Sequence, residues 1–264
     1  MLQHSRASQF LLLGETHDNI SHHRHQAEII ADLQQAQRKT SVHFEMIDDD
    51  QAIHLAKSGY TSVDELVQIL SKSSPGWNYD KMYRVVFEQS LKAGFNILPA
   101  NLTRDAIRSI FAGGEKHIPD AISDVMRNVK LTDEQQESMQ REIIEGHCNV
   151  MPDEMLEPMM LSQGVRDARM ALSLVQSDAE TRVLITGNGH ARKDRGVPLY
   201  LKAQDNNGSI VSIAFIEVEE NRNQVNEYGW RWDNDALPFD YIWFTPQYNR
   251  PDPCKGLKER LNNK

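Results

Sequence analysis

The sequence predicts an α/β fold: a mostly parallel β-sheet flanked by helices, with a smaller inserted helical subdomain. Three observations carry this expectation. Residues 10–13 (FLLL) run into Gly14-Glu15-Thr16-His17, and residues 183–186 (VLIT) run into Gly187-Asn188-Gly189-His190, so two apolar strands each stop at a glycine with a histidine three residues on. Between residues 10 and 99, strand-length apolar runs alternate with helical patterns, the β-α-β-α-β order of a parallel sheet. From residue 103 to about 176 the signals are helical only, in a charged, Met-rich stretch broken by Gly113-Gly114, Pro119, Pro152 and Pro158. The α/β unit is therefore expected over residues 1–102 and 178–264, and the helical insert over 103–177.

The first strand is read at 10–13, followed by a helix at 22–38 with Ser21 as its N-cap and Ala27, Ile29, Ile30 and Leu33 on its apolar side. A second strand, 41–45 (SVHFE), ends in a carboxylate; helices follow at 49–58 and 62–71. Pro75-Gly76 breaks the chain before a helix at 81–93 closed by Gly94, and 95–99 (FNILP) is the third strand. After the helical stretch, 182–186 and 210–218 read as strands, the latter behind an Asn206-Asn207-Gly208 turn, and 240–245 (DYIWFT) as one more short strand.

With 264 residues the chain can bury a sizeable core without staples, and its two cysteines read by count as unpaired and structural, with a single bridge open to them in an oxidising compartment. A net charge of −9 without a basic stripe argues against a nucleic-acid binder. No apolar run is long enough to span a membrane, and no secretory signal peptide precedes the first strand. The expected location is thus cytoplasmic, or external with the export segment trimmed away.

The carboxyl edge of a parallel sheet is where such folds hold ligands, so polar residues just beyond the strands are the candidates for chemistry. His17, with Glu15 and Asp18, follows the first strand; Glu45 ends the second; Asn101 and Arg104 follow the third. An imidazole there can ligate or move protons, and a guanidinium fork matches a carboxylate. The same residues could equally cap loops or form salt bridges. Of the histidines at 22–25, only some can face a site, and the rest are expected in solvent. His43 shares a strand face with Glu45 and reads as structural. The segment 187–198 (GNGHARKDRGVP) packs three glycines, His190 and the cations Arg192, Lys193 and Arg195 into twelve residues, a setting for an anionic ligand. It is neither a P-loop nor a dinucleotide fingerprint, and no G-x-S-x-G elbow exists. His147-Cys148 lacks the partners of a structural zinc site.

Eight segments in order, GETHDN with HHRHQ, HFEM, Trp77 to Tyr83, PANLTRD, GHC, SQGVRDARMA, TGNGHARKDRGVP, and DYIWFTP with RPDPC, resemble the ChaN-like haem-binding uptake proteins of the Tiki/TraB-type superfamily. The resemblance covers nearly the whole chain and implies a parallel sheet with a smaller helical domain. It implies an iron-regulated bacterial lipoprotein on the periplasmic face of the outer membrane, acting in haem transport with an outer-membrane haem receptor as partner. Haem would lie at a homodimer interface, its iron on a tyrosine and its propionates on a histidine and a lysine. By motif position the iron ligand would be Tyr83, with Tyr79 second, since tyrosinate suits ferric haem. The propionates would fall to His190 or His17 with Lys193. Many of those proteins carry tyrosine where this chain has Arg195. His23 is favoured over its neighbours on the same ground; Glu45, Asn101, His147, Gln163 and Asp167 match motif positions without an assigned role. Cys148 and Cys254 both fall within shared motifs and are expected to form a disulfide tying the tail to the helical domain, which would support a periplasmic location. A rival expectation is a metal-dependent hydrolase in which His17, Glu45 and His190 hold a divalent ion that activates water. A third is a binding module for some other anionic small molecule or a partner receptor.

Overall fold

The computed structural model describes residues 1–73, 76–204, 208–222, 224–231, 237–252 and 254–255. A short helix α1 (Leu2–Ala7) precedes β1 (Phe10–Glu15), where the sequence suggested an immediate strand. Helix α2 (Ile20–Gln34) leads to β2 (Thr40–Asp48), α3 (Asp49–Ser58) and α4 (Val63–Ser73). A π-helical turn, Tyr79–Tyr83, runs into α5 (Arg84–Lys92) and then β3 (Asn96–Asn101). The helical stretch comprises α6 (Arg104–Gly113), α7 (Asp120–Met126), α8 (Asp133–Gly146) and α9 (Leu156–Gln176). After β4 (Thr181–Gly187) come a one-turn helix α10 (Asn188–Ala191), α11 (Val197–Gln204), β5 (Ile210–Glu217) and β6 (Tyr241–Thr245).

The six strands form one all-parallel sheet in the order β3-β2-β4-β1-β5-β6. Side chains alternate across it. Leu11 and Leu13 of β1, Val42 and Phe44 of β2, and Val183 and Ile185 of β4 pack with α2, α4 and α5 in one core. Phe10, Leu12 and Leu184 face the other way, into a second core with Val165, Ala168, Met170 and Leu174 of α9 and Tyr200 and Leu201 of α11. The last helix of the helical stretch is therefore a layer of the α/β sandwich. Both faces of the sheet are covered, which is why its strands read as unbroken apolar runs.

Several boundaries differ from expectation for local reasons. Helix α2 starts at Ile20 because Asn19, not Ser21, is the cap: its side chain accepts from the Ser21 N–H. Strand β2 continues past Glu45 to Asp48, whose carboxylate then caps α3 in a capping box with Gln51. The helix expected at 81–93 begins as the π-turn, with Gly94 closing α5 at φ +73°, a left-handed value suited to glycine. Gly14 is needed for packing: a Cβ there would lie 2.6 Å from Asn188 Oδ1 and 2.9 Å from the Ala191 Cβ, so α10 could not sit against β1. Pro75 and the Asn206-Asn207 turn lie outside the described residues.

A bond between Cys148 and Cys254 ties the turn after α8 to the segment beyond β6, as the motif resemblance implied.

Phe44 is fully buried, with its ring centroid 4.8 Å from that of Phe87. Phe44→Ala is expected to lower unfolding stability by about 3–5 kcal/mol through lost burial and a cavity. Urea unfolding checks this: the midpoint should fall at constant slope.

A carboxylate and imidazole chain around the sheet edge

The strand order places β4 between β2 and β1, so the residues at their carboxyl ends must meet. Glu15 pairs in register with Gly187, and its side chain lies on the α2 and α5 side. There, Tyr83 donates to Glu15 Oε1 at 2.8 Å and Gln26 donates to Oε2 at 2.7 Å. His23 Nε2 stands 3.1 Å from Oε2, its ring 4.5 Å from that of Tyr83. Glu45 lies on the opposite, α9 side. Its Oε2 accepts from the Thr186 hydroxyl at 2.7 Å and the Gly187 N–H at 2.8 Å.

His17 sits at the rim and joins the two faces. Its Nδ1 is 3.0 Å from Glu15 Oε1, and its Nε2 is 3.8 Å from Glu45 Oε2. On the far side of Glu45, His190 Nε2 lies 3.7 Å from Oε1, while its Nδ1 donates to Asp167 of α9 at 2.6 Å. The chain Glu15–His17–Glu45–His190–Asp167 thus alternates acid and base. Gly187 keeps it open: a Cβ there would stand 3.0 Å from His17 Nε2 and 3.8 Å from Glu45 Oε2.

Charge follows from this geometry. Burial alone would raise the Glu45 pKa, but His190, His17, the Gly187 N–H and the Thr186 hydroxyl outweigh it and hold the carboxyl at about 2. Burial opposes protonation of His17, yet Glu45 and Glu15 push it up to about 9. Burial likewise opposes charge on Glu15, and His23 and His17 hold it well below the usual carboxylate range. For the His190–Asp167 pair, burial raises Asp167, while Asp167 and Glu45 raise His190 against its own burial. His17 is the accessible member: about a third of its side chain is exposed, against 11% for His190, and the edge of Trp77 packs on its ring at 4.9 Å.

The other expected residues fall into three groups. Tyr83 and Tyr79 are buried. The Tyr83 phenol is pushed far up by burial and by Glu15, and the Tyr79 hydroxyl donates to the Met46 carbonyl at 2.6 Å and accepts from Gln51 at 2.8 Å. The Tyr83 hydroxyl also stands 3.3 Å from His17 Nδ1, beneath the rim. Asn101 braces the strand ends, donating to the Glu45 carbonyl at 3.0 Å, and Arg104 opens α6 in solvent. Lys193 is partly exposed and paired with Asp240, whereas Arg195 is buried against Ser138 and Glu142 of α8. His147 bonds back to the Ile143 carbonyl, away from the chain of acids and imidazoles. Of the neighbouring histidines, His22 is buried rather than solvated: it accepts from the Thr16 N–H at 2.9 Å, bonds Thr245 at 2.8 Å, and is held neutral by burial, down to about 4. His43 is structural as expected, fully buried between Ser41 and Ser173.

The Gly187 N–H, Thr186 and Trp77 were not singled out as site residues. No spacing rule marks a backbone donor, and Trp77 carried only a motif match.

The metal-hydrolase expectation finds no support here. Among the described residues no group of three or more His, Cys, Asp or Glu is arranged to hold a metal ion.

A folded-state pKa of about 9 against 6.5 means that the His17 pairing stabilises fully below pH 6.5 and is lost as pH rises through about 9. The Glu45 pairing stabilises above about 4.5 and is lost toward about 2. Imidazole NMR should show His17 protonated at pH 7.5. Stability measured by urea unfolding should fall between pH 7 and 10 in the wild type and much less so in His17→Gln.

Residues 1–201 match the family described as haem-binding uptake, Tiki superfamily, ChaN. No curated protein matches the chain. Among solved structures, that of ChaN of Campylobacter jejuni, described by its cofacial haem binding, superposes with a TM-score of 0.68 at 24% identity over 84% of this chain and 86% of that one. The type III effector HopBA1 aligns over 94% of this chain and 92% of its own, at 10% identity and a TM-score of 0.47. The structural likeness speaks for the fold, and the sequence match over most of the chain decides the relationship: the protein belongs to the ChaN haem-binding uptake family of the Tiki superfamily.

Proposed function

We propose that this protein binds haem in the crevice at the carboxyl edge of the sheet, as a carrier in haem uptake, with a propionate on the His17 imidazolium and Lys193 as a second cation. The observation that carries this reading is His17 itself: a partly exposed cation at the rim, fixed by Glu15 and Glu45, with Trp77 against its ring. A fixed imidazolium suits a carboxylate, and an aromatic edge beside it suits a porphyrin. The electrostatics favour binding over turnover. A general base works best with a pKa near the operating pH, whereas Glu45 is held at about 2 and His17 at about 9.

Bound haem would supply an iron centre, and the fit of this chain to it is partial. On the propionate side His17 is partly exposed, and Lys193 would have to exchange its partner Asp240 for a propionate. The iron side is not provided for, because Tyr83 and Tyr79 are internal and their hydroxyls are committed to Glu15, Met46 and Gln51. In keeping with the cofacial haem binding described for ChaN of Campylobacter jejuni, we place a second copy of the chain opposite the haem, in a haem-dependent homodimer. The Cys148–Cys254 disulfide favours an oxidising compartment, and we place the protein in the periplasm.

Haemin titration followed by absorbance and sedimentation is the test. A saturable Soret band that appears together with a dimer is the expected result, and absence of saturation would end the haem reading. His17→Ala should weaken haemin binding by about ten-fold or more, the worth of one hydrogen bond to a charged group.

A further inference from the structure

We infer that the Cys148–Cys254 disulfide is a redox latch, and that its reduction by a dithiol lifts residues 246–252 off the carboxyl-edge crevice. The inference rests on the haem reading only for the identity of what enters. The segment leaves β6 at the sheet's edge and runs back along the carboxyl ends of the strands. Asn19, in the β1–α2 turn, donates to the Pro246 carbonyl at 3.3 Å. The Tyr248 N–H reaches Glu217, at the end of β5, at 3.4 Å, and Lys81 of the π-turn stands 5.9 Å over the Tyr248 ring. Arg250 pairs with Glu217 and, at 2.9 Å, with Asp18, the residue after His17. Cys254 is then bonded to Cys148, just beyond α8. The same helix meets the β4 loop, since Glu142 pairs with Arg195 and its Oε1 lies 2.5 Å from where a Gly189 Cβ would be. These anchors run from β5 past the His17 turn to the His190 side.

Apart from the disulfide, the hold on this segment is weak. Residues 246–252 have no regular secondary structure and none is buried. Beyond Tyr248, which packs on the edge of the first core, their anchors are partly exposed ion pairs, hydrogen bonds and cation–π contacts, each of small worth in water. The covalent bond spans 106 residues of chain, so breaking it releases the far end completely. Both cysteines are half-buried, neither sealed in the core, so a thiolate can reach them. In the exchange, a dithiol's thiolate attacks one Sγ and expels the other as thiolate. Its second thiol then displaces the first cysteine and closes a new disulfide. Two electrons and two protons pass to the protein, leaving two cysteine thiols and an oxidised dithiol.

Three forms decide the matter: the oxidised protein, the protein reduced with dithiothreitol, alkylated and freed of reductant, and the double variant Cys148→Ser with Cys254→Ser. Hydrogen exchange without ligand should quicken at least ten-fold for amides of 246–252 and rise for 16–19 in both opened forms, with β1 and β4 unchanged. Stopped-flow haemin binding should show association and release each faster by at least five-fold. Unchanged exchange in 246–252 would overturn the latch, and so would opening that leaves haemin rates as they were. If no form binds haemin, the haem reading fails, and the exchange data alone then judge the latch.

Discussion

The structure turns on Glu45, a carboxylate with almost no exposure, in β2 just past its last register pair with β4. Burying a charge without partners is prohibitively costly, so everything near it is arranged to supply them. One oxygen takes a hydroxyl and a backbone N–H from β4, and an imidazole stands on each side. Each imidazole in turn is held by a further acid, Glu15 or Asp167. Positive and negative groups therefore come as an interlocked set. Removing one member leaves a buried charge on the next, which explains why α2, the π-turn, the sheet and α9 all contribute to it.

That set also accounts for the sheet's odd order. Glu15 and Glu45 face opposite sides of the sheet, and only a group at the rim can touch both. With β4 between β1 and β2, the turn after β1 brings His17 over the end of β4, where Gly187 leaves room for the ring. One imidazole thereby couples two separately packed cores. It is the member of the set with substantial contact with solvent, so the charge state of the interior is sensed at the surface through a single ring.

Much of this was legible in the sequence, for identifiable reasons. A parallel sheet covered on both faces makes its strands read as plain apolar runs, and the two strand-glycine-histidine segments proved to be the adjacent strands β1 and β4. Glu45, His17 and His190 were named as sharing a crevice, and they do. What the sequence could not show were long-range commitments. Tyr83 matches a motif, yet its direction depends on the π-turn that buries it against Glu15, and no local pattern encodes that turn. Arg195 lies in a cation-rich loop that reads as a ligand site, but Glu142, from a helix more than fifty positions earlier, turns it inward. His22 was expected in solvent because neighbouring histidines on a helix point in different directions. The partner that buries it, Thr245, comes from the opposite end of the chain.

The position of β4 has a consequence for how the chain assembles. Strands β1 and β2 do not touch; each meets β4, and Phe10 of β1 finds its register partner in Arg182. The amino-terminal half of the sheet therefore has open inner edges until the whole helical stretch and β4 have been made. Its closing contacts have a very large sequence separation, which slows folding and prolongs the time that apolar edges stand exposed. A nascent chain of this design carries two unpaired strand edges through most of its synthesis, each a template for pairing with another chain until β4 fills the gap.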